Sequence, residues 1–588
     1  MMILLKASTT RAEAGMRTLS TTEQRWAPAG FLVFMLATAL AMIVTYPLAL
    51  HFGDEIYGTP GDATGAVSQF WWWGYALAHG QPIFDNALQG VPLGSGWSEL
   101  PFVVLPVLVF TPLSAMIGPI ASYNILVLSG FPLTAWAVYL LGRRLRLPAV
   151  SAAFAGLAFA FSPYHVEKAQ GHAYQTHLEF AALTLFFLVA WRDSKDWKRL
   201  VAAGAMLGLQ FWMDYSLTYV LSIGLVAFAA AHVLIRPREV RWHRWLVSNL
   251  AAGALVAATA SLFVPVGILF AHRPGSGSYG QTFGGALGNV VRNLNELVVY
   301  SARLREYLEP WHSNPLLPGA IRDWEQAHLH GSNFTESSLF LGYTVILMAG
   351  LGVLVRGALF HKISALFMMA AGLAMAEPPT VHVLGHDVHA PSFYAFQFIT
   401  FFRVYARFAV LVMLGSVLLA GLAMSRLEGS LGSGRRRFLL AIPFVLLAVE
   451  FNNQPPSHVT RLLPAPAAYV WLRDQPQGIL LEYPANSGSP QDQEIEIRQY
   501  ELYQMIHLHP TFLNEITGSG PVADAAAQLE PYYRSGVVGQ IRGYGIRYVF
   551  VHRADYTRAG WDLPQSVDGM TLVKSLGGID IWLVNSGP

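Results

Sequence analysis

A long succession of apolar segments constrains this chain most. A helix needs roughly 20 apolar residues to cross the hydrocarbon core of a bilayer, and somewhat fewer where it is short or packed. Only 13% of the 588 residues are charged and 53% are hydrophobic, so a soluble fold would lack polar surface. We predict a polytopic α-helical membrane protein of about eleven crossings, or twelve to thirteen if further stretches cross. The eleven segments are 29–50, 121–141, 149–163, 178–191, 199–213, 217–235, 245–270, 337–356, 362–377, 407–425 and 437–451.

The placement of lysine and arginine predicts the orientation of these crossings. Basic residues collect in short cytoplasmic loops of membrane proteins. With the N-terminal tail 1–28 inside, six short cytoplasmic segments contain 21 of the 38 basic residues. We therefore expect a multi-pass protein of the cytoplasmic membrane, with the N-terminus inside and the C-terminus outside. The predicted transmembrane domain, 29–451, then has four long outside loops: 51–120, 162–177, 271–336 and 377–406.

One apolar stretch does not fit a simple count of crossings. Residues 100–118 are apolar enough to cross, but a crossing there would invert every later loop. Pro101, Pro106 and Pro112 also disfavour one straight helix. We expect an interfacial or re-entrant segment.

The composition changes after about residue 452. Short strands are predicted at 478–484, 547–553 and 579–584, with helices at 491–507 and 524–541 between them. Residues 452–588 are therefore predicted to form a small extracytoplasmic α/β domain.

The first outside loop contains the carboxylates most suited to chemistry at the membrane surface. Asp54 and Glu55 directly follow the first crossing, and Asp62 follows a Gly-Pro-Gly turn. Asp62 is a candidate general base, but an aspartate here could equally be a plain N-cap of the helix that follows. Trp72, in a run of three tryptophans, could stack on a sugar or anchor the loop at the interface.

Several stretches together resemble the GT-C superfamily of polyprenyl-phosphate-dependent glycosyltransferases. The first is GDATGAVSQFWWW, which places a carboxylate beside a helix along the membrane. The others are 123–175, TESSLFLGYTVILM (335–348), RVYARFAVLVM (403–413) and the C-terminal GILLEYP and GIRYVFVHR.

This resemblance implies an inverting glycosyltransferase, transferring a hexose or a pentose. A first-loop carboxylate takes the acceptor's proton while the lipid phosphate leaves from the anomeric carbon. Asp62 matches that carboxylate, and Asp54 or Glu55 is the fallback. Arginines at helix ends could bind the donor phosphate, although snorkelling to the interface is the alternative for each: Arg407, Arg403 and Arg273.

Acceptor or sugar contacts are predicted in the second and third outside loops. His165, Glu167 and His172 stand where oligosaccharyltransferase-type members have an acidic pair that binds metal, so a divalent metal is possible but doubtful. Glu336 could pair with one of the arginines or meet the acceptor, and Trp72 completes the set. The spacing of His382, His386 and His389 could suit zinc. The segment is rich in proline and glycine, however, so nothing in the sequence places the three imidazoles on one face, and we do not expect a zinc site there. There is no cysteine.

The expected partners are a polyprenyl-phosphate-linked sugar, a glycan, lipid or protein acceptor, and membrane lipid. No feature indicates nucleic acid. Two other functions remain open: a transporter or flippase of lipid-linked sugars, and a polysaccharide polymerase or ligase. A transporter would place ionisable residues deep within the crossings, whereas here they collect at helix ends and loops. A polymerase would need no first-loop aspartate.

Overall fold

The structure is a computed structural model. It describes residues 26–83, 86–94, 104–236, 240–266, 294–310, 312, 314–328, 334–400, 402–430, 433–452, 459–485, 490–513 and 521–586. Most of the predicted N-terminal tail, much of the loop 271–336 and the candidate Arg273 lie outside the described residues.

The described chain is mainly helical. Its first ten helices are α1 Ala27–Val44, α2 Asp62–His79, α3 Val104–Ile117, α4 Pro119–Arg144, α5 Ala149–Ala160, α6 Pro163–Lys168, α7 Glu179–Ser194, α8 Trp197–Met213, α9 Tyr215–Leu234 and α10 Trp242–Ser261. The next eight are α11 Leu294–Val299, α12 Gly319–Ala327, α13 Phe334–Ser337, α14 Tyr343–Leu354, α15 Leu359–Ala376, α16 Pro391–Phe398, α17 Ala409–Ser430 and α18 Ser433–Glu450. The C-terminal helices are α19 Ala467–Arg473, α20 Pro490–His507, α21 Pro521–Gln528, α22 Val537–Gly543 and α23 Arg553–Arg558.

Among the described residues, seven helical stretches are long and apolar enough to cross a membrane. They are Ala27–Val44, Pro119–Arg144, Ala173–Ser194, Tyr215–Leu234, Trp242–Val266, Leu359–Ala376 and Tyr405–Gly429. Three more predicted crossings, at 149–163, 337–356 and 437–451, coincide with shorter apolar helices. The segment 199–213 lies in the 17-residue helix α8. The protein is thus a multi-pass membrane protein, and the count of eleven stays a prediction.

The helix α17 lies at the centre of the bundle. The stretch Tyr405–Gly429 is 94% buried, whereas Trp242–Val266 at the periphery is only 11% buried. The helices α14 and α17 approach closely at Gly352, where a Cβ atom would collide with the carbonyl oxygen of Leu419. Small residues permit such backbone contacts between membrane helices.

The segment after α1 contains two helices that pack on each other, a long one and a shorter one. The helix α2 carries the tryptophan run, and α3 packs along it, with Ser114 Oγ donating to the Phe70 carbonyl at 2.6 Å. The 14 residues of α3 span about 21 Å, which is less than the roughly 30 Å of a hydrocarbon core. The 12-residue helices α5 and α14 are shorter still, so the interfacial or re-entrant placement of 100–118 stays a prediction.

The C-terminal region contains a four-stranded sheet in the order β5-β6-β8-β7. Its strands are β5 Ile479–Tyr483, β6 Ile546–His552, β7 Met570–Leu576 and β8 Ile579–Val584. The pair β5–β6 is parallel and the other pairs are antiparallel. All three predicted strands are therefore confirmed. The predicted helix 524–541 is wrong as one element: it is split into α21 and α22 around Pro531, whose ring cannot continue a helix.

The C-terminal region packs against the segment between α1 and α3. The strand β4 Val459–Arg461 pairs with β1 Glu55–Tyr57. The helix α20 packs on α2, and the side chain of Gln504 on α20 donates to the carbonyl of Leu88 at 2.8 Å. This packing brings α20 to the start of α2. Two further strands, β2 Thr380–Val383 and β3 His386–His389, form a separate hairpin.

Candidate active site

Asp62 is the first residue of α2, and its side chain does not cap that helix. The N-cap is Gly61, which has φ = 120°, a backbone conformation that favours glycine. The hydroxyl of Thr64 accepts from the Gly61 N–H at 3.0 Å and so takes the capping role. The interpretation of Asp62 as a plain N-cap is therefore wrong. Its carboxylate is 47% exposed and faces a cavity.

This cavity has a volume of about 150 Å³ and lies where four parts of the chain meet. The helix α2 supplies one wall and the loop after α6 supplies another. Asp214 comes from the turn before α9, and Arg498 comes from α20 of the C-terminal region. The polar lining consists of Asp62, Gln69, His172, Tyr174, Gln175, Asp214 and Arg498.

Two basic side chains hold the Asp62 carboxylate. Arg498 Nη1 forms an ion pair with Asp62 Oδ1, and His172 Nε2 lies 3.6 Å from Oδ2. Burial alone would raise the pKa of Asp62, but the guanidinium of Arg498 and, at acid pH where it is protonated, the ring of His172 outweigh burial and hold that pKa below its usual value. Asp62 is therefore ionised at neutral pH, the protonation state that a general base requires.

His172 itself is neutral at physiological pH. Burial and the nearby Lys168 ammonium lower the pKa of His172 to about 4. Its Nδ1 atom has no hydrogen-bond partner among the described residues. A neutral imidazole in the cavity wall can bind a sugar or acceptor hydroxyl.

A buried ionic cluster lies beside the cavity. Glu336 Oε2 is 2.6 Å from Lys168 Nζ, and Glu336 Oε1 is 3.2 Å from Arg407 Nη2. Burial would raise the pKa of Glu336, but Lys168 and Arg407 outweigh burial and lower it to about 2. Burial lowers the pKa of Lys168 to about 8 despite the pairing. The predicted pairing of Glu336 with an arginine is confirmed.

Arg407 connects this cluster to the cavity. Its Nη1 donates to Ser216 Oγ at 3.0 Å, and Ser216 donates in turn to Asp214, which caps α9. With its amide oxygen turned toward the guanidinium, Gln175 also accepts from Arg407 at 3.0 Å. Asp214 itself lines the cavity.

The structure places other predicted site residues away from the cavity. Asp54 and Glu55 lie near His51, at 3.5 Å and 3.9 Å, and do not line the cavity. Arg403 pairs with Glu296 at 2.7 Å and does not line the cavity. Trp72 is 1% exposed, and its indole N–H donates to the carbonyl of Pro82.

Two predicted acceptor residues of the second loop are buried near the site without lining the cavity. Both ring nitrogens of His165 lie against backbone carbonyls, those of Ala160 at 2.6 Å and Thr176 at 2.7 Å. These contacts give His165 a structural role in shaping the loop. Glu167 is 6% exposed and accepts from the side chain of Gln170 at 3.4 Å.

Metal-ligand geometry is found away from Asp62. Within the described ranges, one group of three candidate ligands has atoms close enough for an ion: His51, Asp54 and Glu55. Partly exposed acidic groups of this kind are common without a metal. In the hairpin β2–β3, His382 contacts Asp387 at 3.0 Å. The next cross-strand pair is His386 and Val383. Side chains alternate between the two faces along a strand, so His386 lies on the face opposite His382.

Sequence reasoning missed two cations of the site. Lys168 stands beside the residues that were singled out, but nothing in the sequence shows that it meets Glu336. Arg498 is 436 residues from Asp62 along the chain, in a helix with charged residues throughout. The packing of α20 on α2 creates the Arg498 contact, and the packing of α13 on α6 creates the Lys168 contact.

The chain shares its fold with two solved glycosyltransferase structures. The chain is similar in structure to the arabinofuranosyltransferase AftD from Mycobacteria, with a TM-score of 0.57 and 16% identity over 96% of this chain and 40% of that chain. It is also similar to the oligosaccharyltransferase of Archaeoglobus fulgidus in the apo form, with a TM-score of 0.51 and 13% identity over 90% of this chain and 71% of that chain. Both are GT-C-type proteins.

The chain has a GT-C fold. It spans less than half the length of the arabinofuranosyltransferase. No model of a protein family matches the sequence, and no curated protein does. In this GT-C fold, α2 and the loop after α6 together form the cavity that contains Asp62.

Proposed function

We propose that this GT-C protein is a membrane glycosyltransferase that uses Asp62 as a general base. It takes a sugar from a polyprenyl phosphate and transfers it, with inversion, to an acceptor outside the cytoplasmic membrane. The observation that carries this proposal is an ionised carboxylate facing a cavity, with three cations close by. The GT-C fold supports the same reaction class.

The reaction needs one proton transfer and one displacement. Asp62 takes the proton of the acceptor hydroxyl as the acceptor oxygen attacks the anomeric carbon. The bond between that carbon and the phosphate oxygen breaks, and the electron pair leaves with the polyprenyl phosphate. The phosphate is already a good leaving group, so a base and correct positioning are sufficient.

Arg407 and Arg498 are the proposed phosphate contacts. Both guanidiniums present planar forks that suit phosphate oxygens. Each is paired with a carboxylate in the structure, Arg407 with Glu336 and Arg498 with Asp62. In the proposed mechanism the arriving phosphate draws Arg498 from Asp62, which frees the base as the donor binds.

The proposed reaction uses no divalent metal. The carboxylate of Asp62 is paired with the Arg498 guanidinium and lies beside the neutral ring of His172, and the nearby positive charge opposes metal binding. The roles predicted for Arg403, His165, Glu167 and Trp72 form no part of this mechanism, since other contacts hold these four side chains.

A transfer assay with purified protein tests the function. The full chain in proteoliposomes would be incubated with a panel of polyprenyl-phosphate pentoses and hexoses and with short glycan acceptors. We expect one donor to yield product and free polyprenyl phosphate. NMR of the product should show that the anomeric configuration of the transferred sugar is inverted. Retention of configuration, or transfer from sugar nucleotides alone, would overturn the proposal.

A further inference from the structure

A groove between α9 and α10 opens on the periphery of the bundle. It has a volume of about 310 Å³, which reaches the lower range of ligand pockets, at about 300 Å³. Its walls are almost entirely apolar and include Leu207, Val226 and Val256. The helix α10 is mostly exposed in the structure, so this groove faces the lipid.

One end of the groove is closed by aromatic rings. Trp245 donates from Nε1 to the carbonyl of Val233 at 3.1 Å and joins α10 to α9 there. The His232 ring lies between those of Trp245, at 4.8 Å, and Trp191, at 5.9 Å. His232 is 4% exposed and lines the groove, and neither ring nitrogen has a hydrogen-bond partner among the described residues.

Two cations flank the same end. Lys195 Nζ lies 4.3 Å from the Trp191 ring, and Arg192 lines the groove with its guanidinium 3.9 Å from the Phe360 ring. The neighbouring carboxylate, Asp193, is 3.3 Å from Arg144 and 3.7 Å from Arg192. Arg144, Arg192 and Lys195 outnumber the two neighbouring carboxylates, Asp193 and Asp196, so the end of the groove carries net positive charge.

This end is remote from the Asp62 cavity. Ser216, which contacts Arg407, lies at the start of α9, and His232 lies sixteen residues later on the same helix. At about 1.5 Å per residue the two are about 24 Å apart, close to the thickness of a hydrocarbon core.

We infer that the α9–α10 groove is a binding site for an anionic phospholipid. The acyl chain fills the apolar groove, and the headgroup phosphate binds Arg192 and Lys195, with His232 as a further polar contact. Charge complementarity selects this occupant, since basic pockets between membrane helices bind anionic headgroups. The site does not depend on the proposed transferase activity.

Lipid titration of the delipidated full chain tests this site. Dioleoyl-phosphatidylglycerol and dioleoyl-phosphatidylcholine would be added in detergent, with bound lipid counted by native mass spectrometry. We expect one saturable phosphatidylglycerol adduct.

Two variants separate headgroup from tail binding. Arg192→Gln with Lys195→Gln removes the charges and should weaken binding by about fivefold per charge.

Gly253→Leu fills the groove, because a Cβ atom at Gly253 meets nothing within 4 Å. It should displace the lipid, while the matched Gly350→Leu, on another exposed helical glycine, should not. Arg236→Gln with Arg241→Gln removes two charges from an adjacent loop and should leave binding unchanged. Equal affinity for both lipids, or equal binding by all variants, would overturn the site.

Discussion

The Asp62 carboxylate depends on residues that other parts of the chain contribute. At neutral pH its charged partner is Arg498, because His172 has a pKa of about 4 and is uncharged. A residue of the C-terminal region thus lowers the pKa of a carboxylate at the start of α2.

Replacing Arg498 should change the pH dependence of transfer. Arg498→Gln removes the cation that stabilises ionised Asp62, so the pKa of Asp62 rises toward or above its usual value. The protonated, inactive form then persists to higher pH. We expect the acid limb of the pH–rate profile to move upward. Arg534→Gln, an exposed variant in the same region, serves as the control. An unchanged acid limb in Arg498→Gln would contradict the assignment.

Glu336 should be essential to stability as well as to the site. Glu336→Gln leaves Lys168 and Arg407 buried without their shared carboxylate, and breaking such a pair typically costs about 3–5 kcal/mol. We expect a markedly lower melting temperature for the purified protein in detergent. The double variant Glu336→Gln with Lys168→Met should recover part of the loss. No difference between the single variant and wild type would argue against this cluster.

The sequence predicted Asp62 but not its surroundings. A carboxylate after a Gly-Pro-Gly turn is visible in any reading of the first loop. The contacts with Arg498 and the pairing of Lys168 with Glu336 join residues far apart in the sequence, and only tertiary packing creates them. The predicted pairing of Glu336 succeeded because a buried carboxylate beside a crossing needs a cation.

At the scale of the elements, apolar length and strand patterns predicted most helices and three strands. The strand β7 was missed because its residues are largely exposed and lack an alternating apolar face. The predicted helix 524–541 was too long because Pro531 was not treated as a break. Short helices such as α3 resist prediction, since their apolar composition fits several positions relative to the membrane.

The contact between α14 and α17 should tolerate no added side chain at Gly352. Gly352→Val forces a Cβ atom into the Leu419 carbonyl, and such overpacking typically costs about 1–3 kcal/mol. Gly350→Val, two residues away, meets nothing within 4 Å and is the matched control. We expect a lower melting temperature for Gly352→Val alone. Equal melting of the two variants would mean that the helices do not pack closely at this point.

At the scale of the whole molecule, the proposed mechanism requires one orientation. The Asp62 cavity and the C-terminal sheet must lie outside the cytoplasmic membrane, and the basic loops inside. The absence of cysteine allows a direct test. Two exposed positions would each be replaced by cysteine. Ala554→Cys places a thiol in the C-terminal region, and Gly429→Cys places one near the end of α17, close to Arg426.

A membrane-impermeant maleimide applied to intact spheroplasts should label Ala554→Cys but not Gly429→Cys. A permeant maleimide should label both and so controls for reactivity. The reverse labelling pattern would place Asp62 in the cytosol and exclude the proposed reaction.

Turnover of Asp62→Asn tests the central claim most directly. Using the donor identified in the transfer assay, wild type, Asp62→Asn, Asp54→Asn and Asp474→Asn would be compared at saturating substrate. Loss of a general base typically costs about 10²–10⁴-fold in rate, so we expect that loss in Asp62→Asn alone. Among the described residues, the exposed side chain of Asp474 forms hydrogen bonds with its neighbour Arg473 alone. Asp474→Asn therefore serves as the control. Full turnover by Asp62→Asn, or its loss in Asp54→Asn instead, would contradict the account.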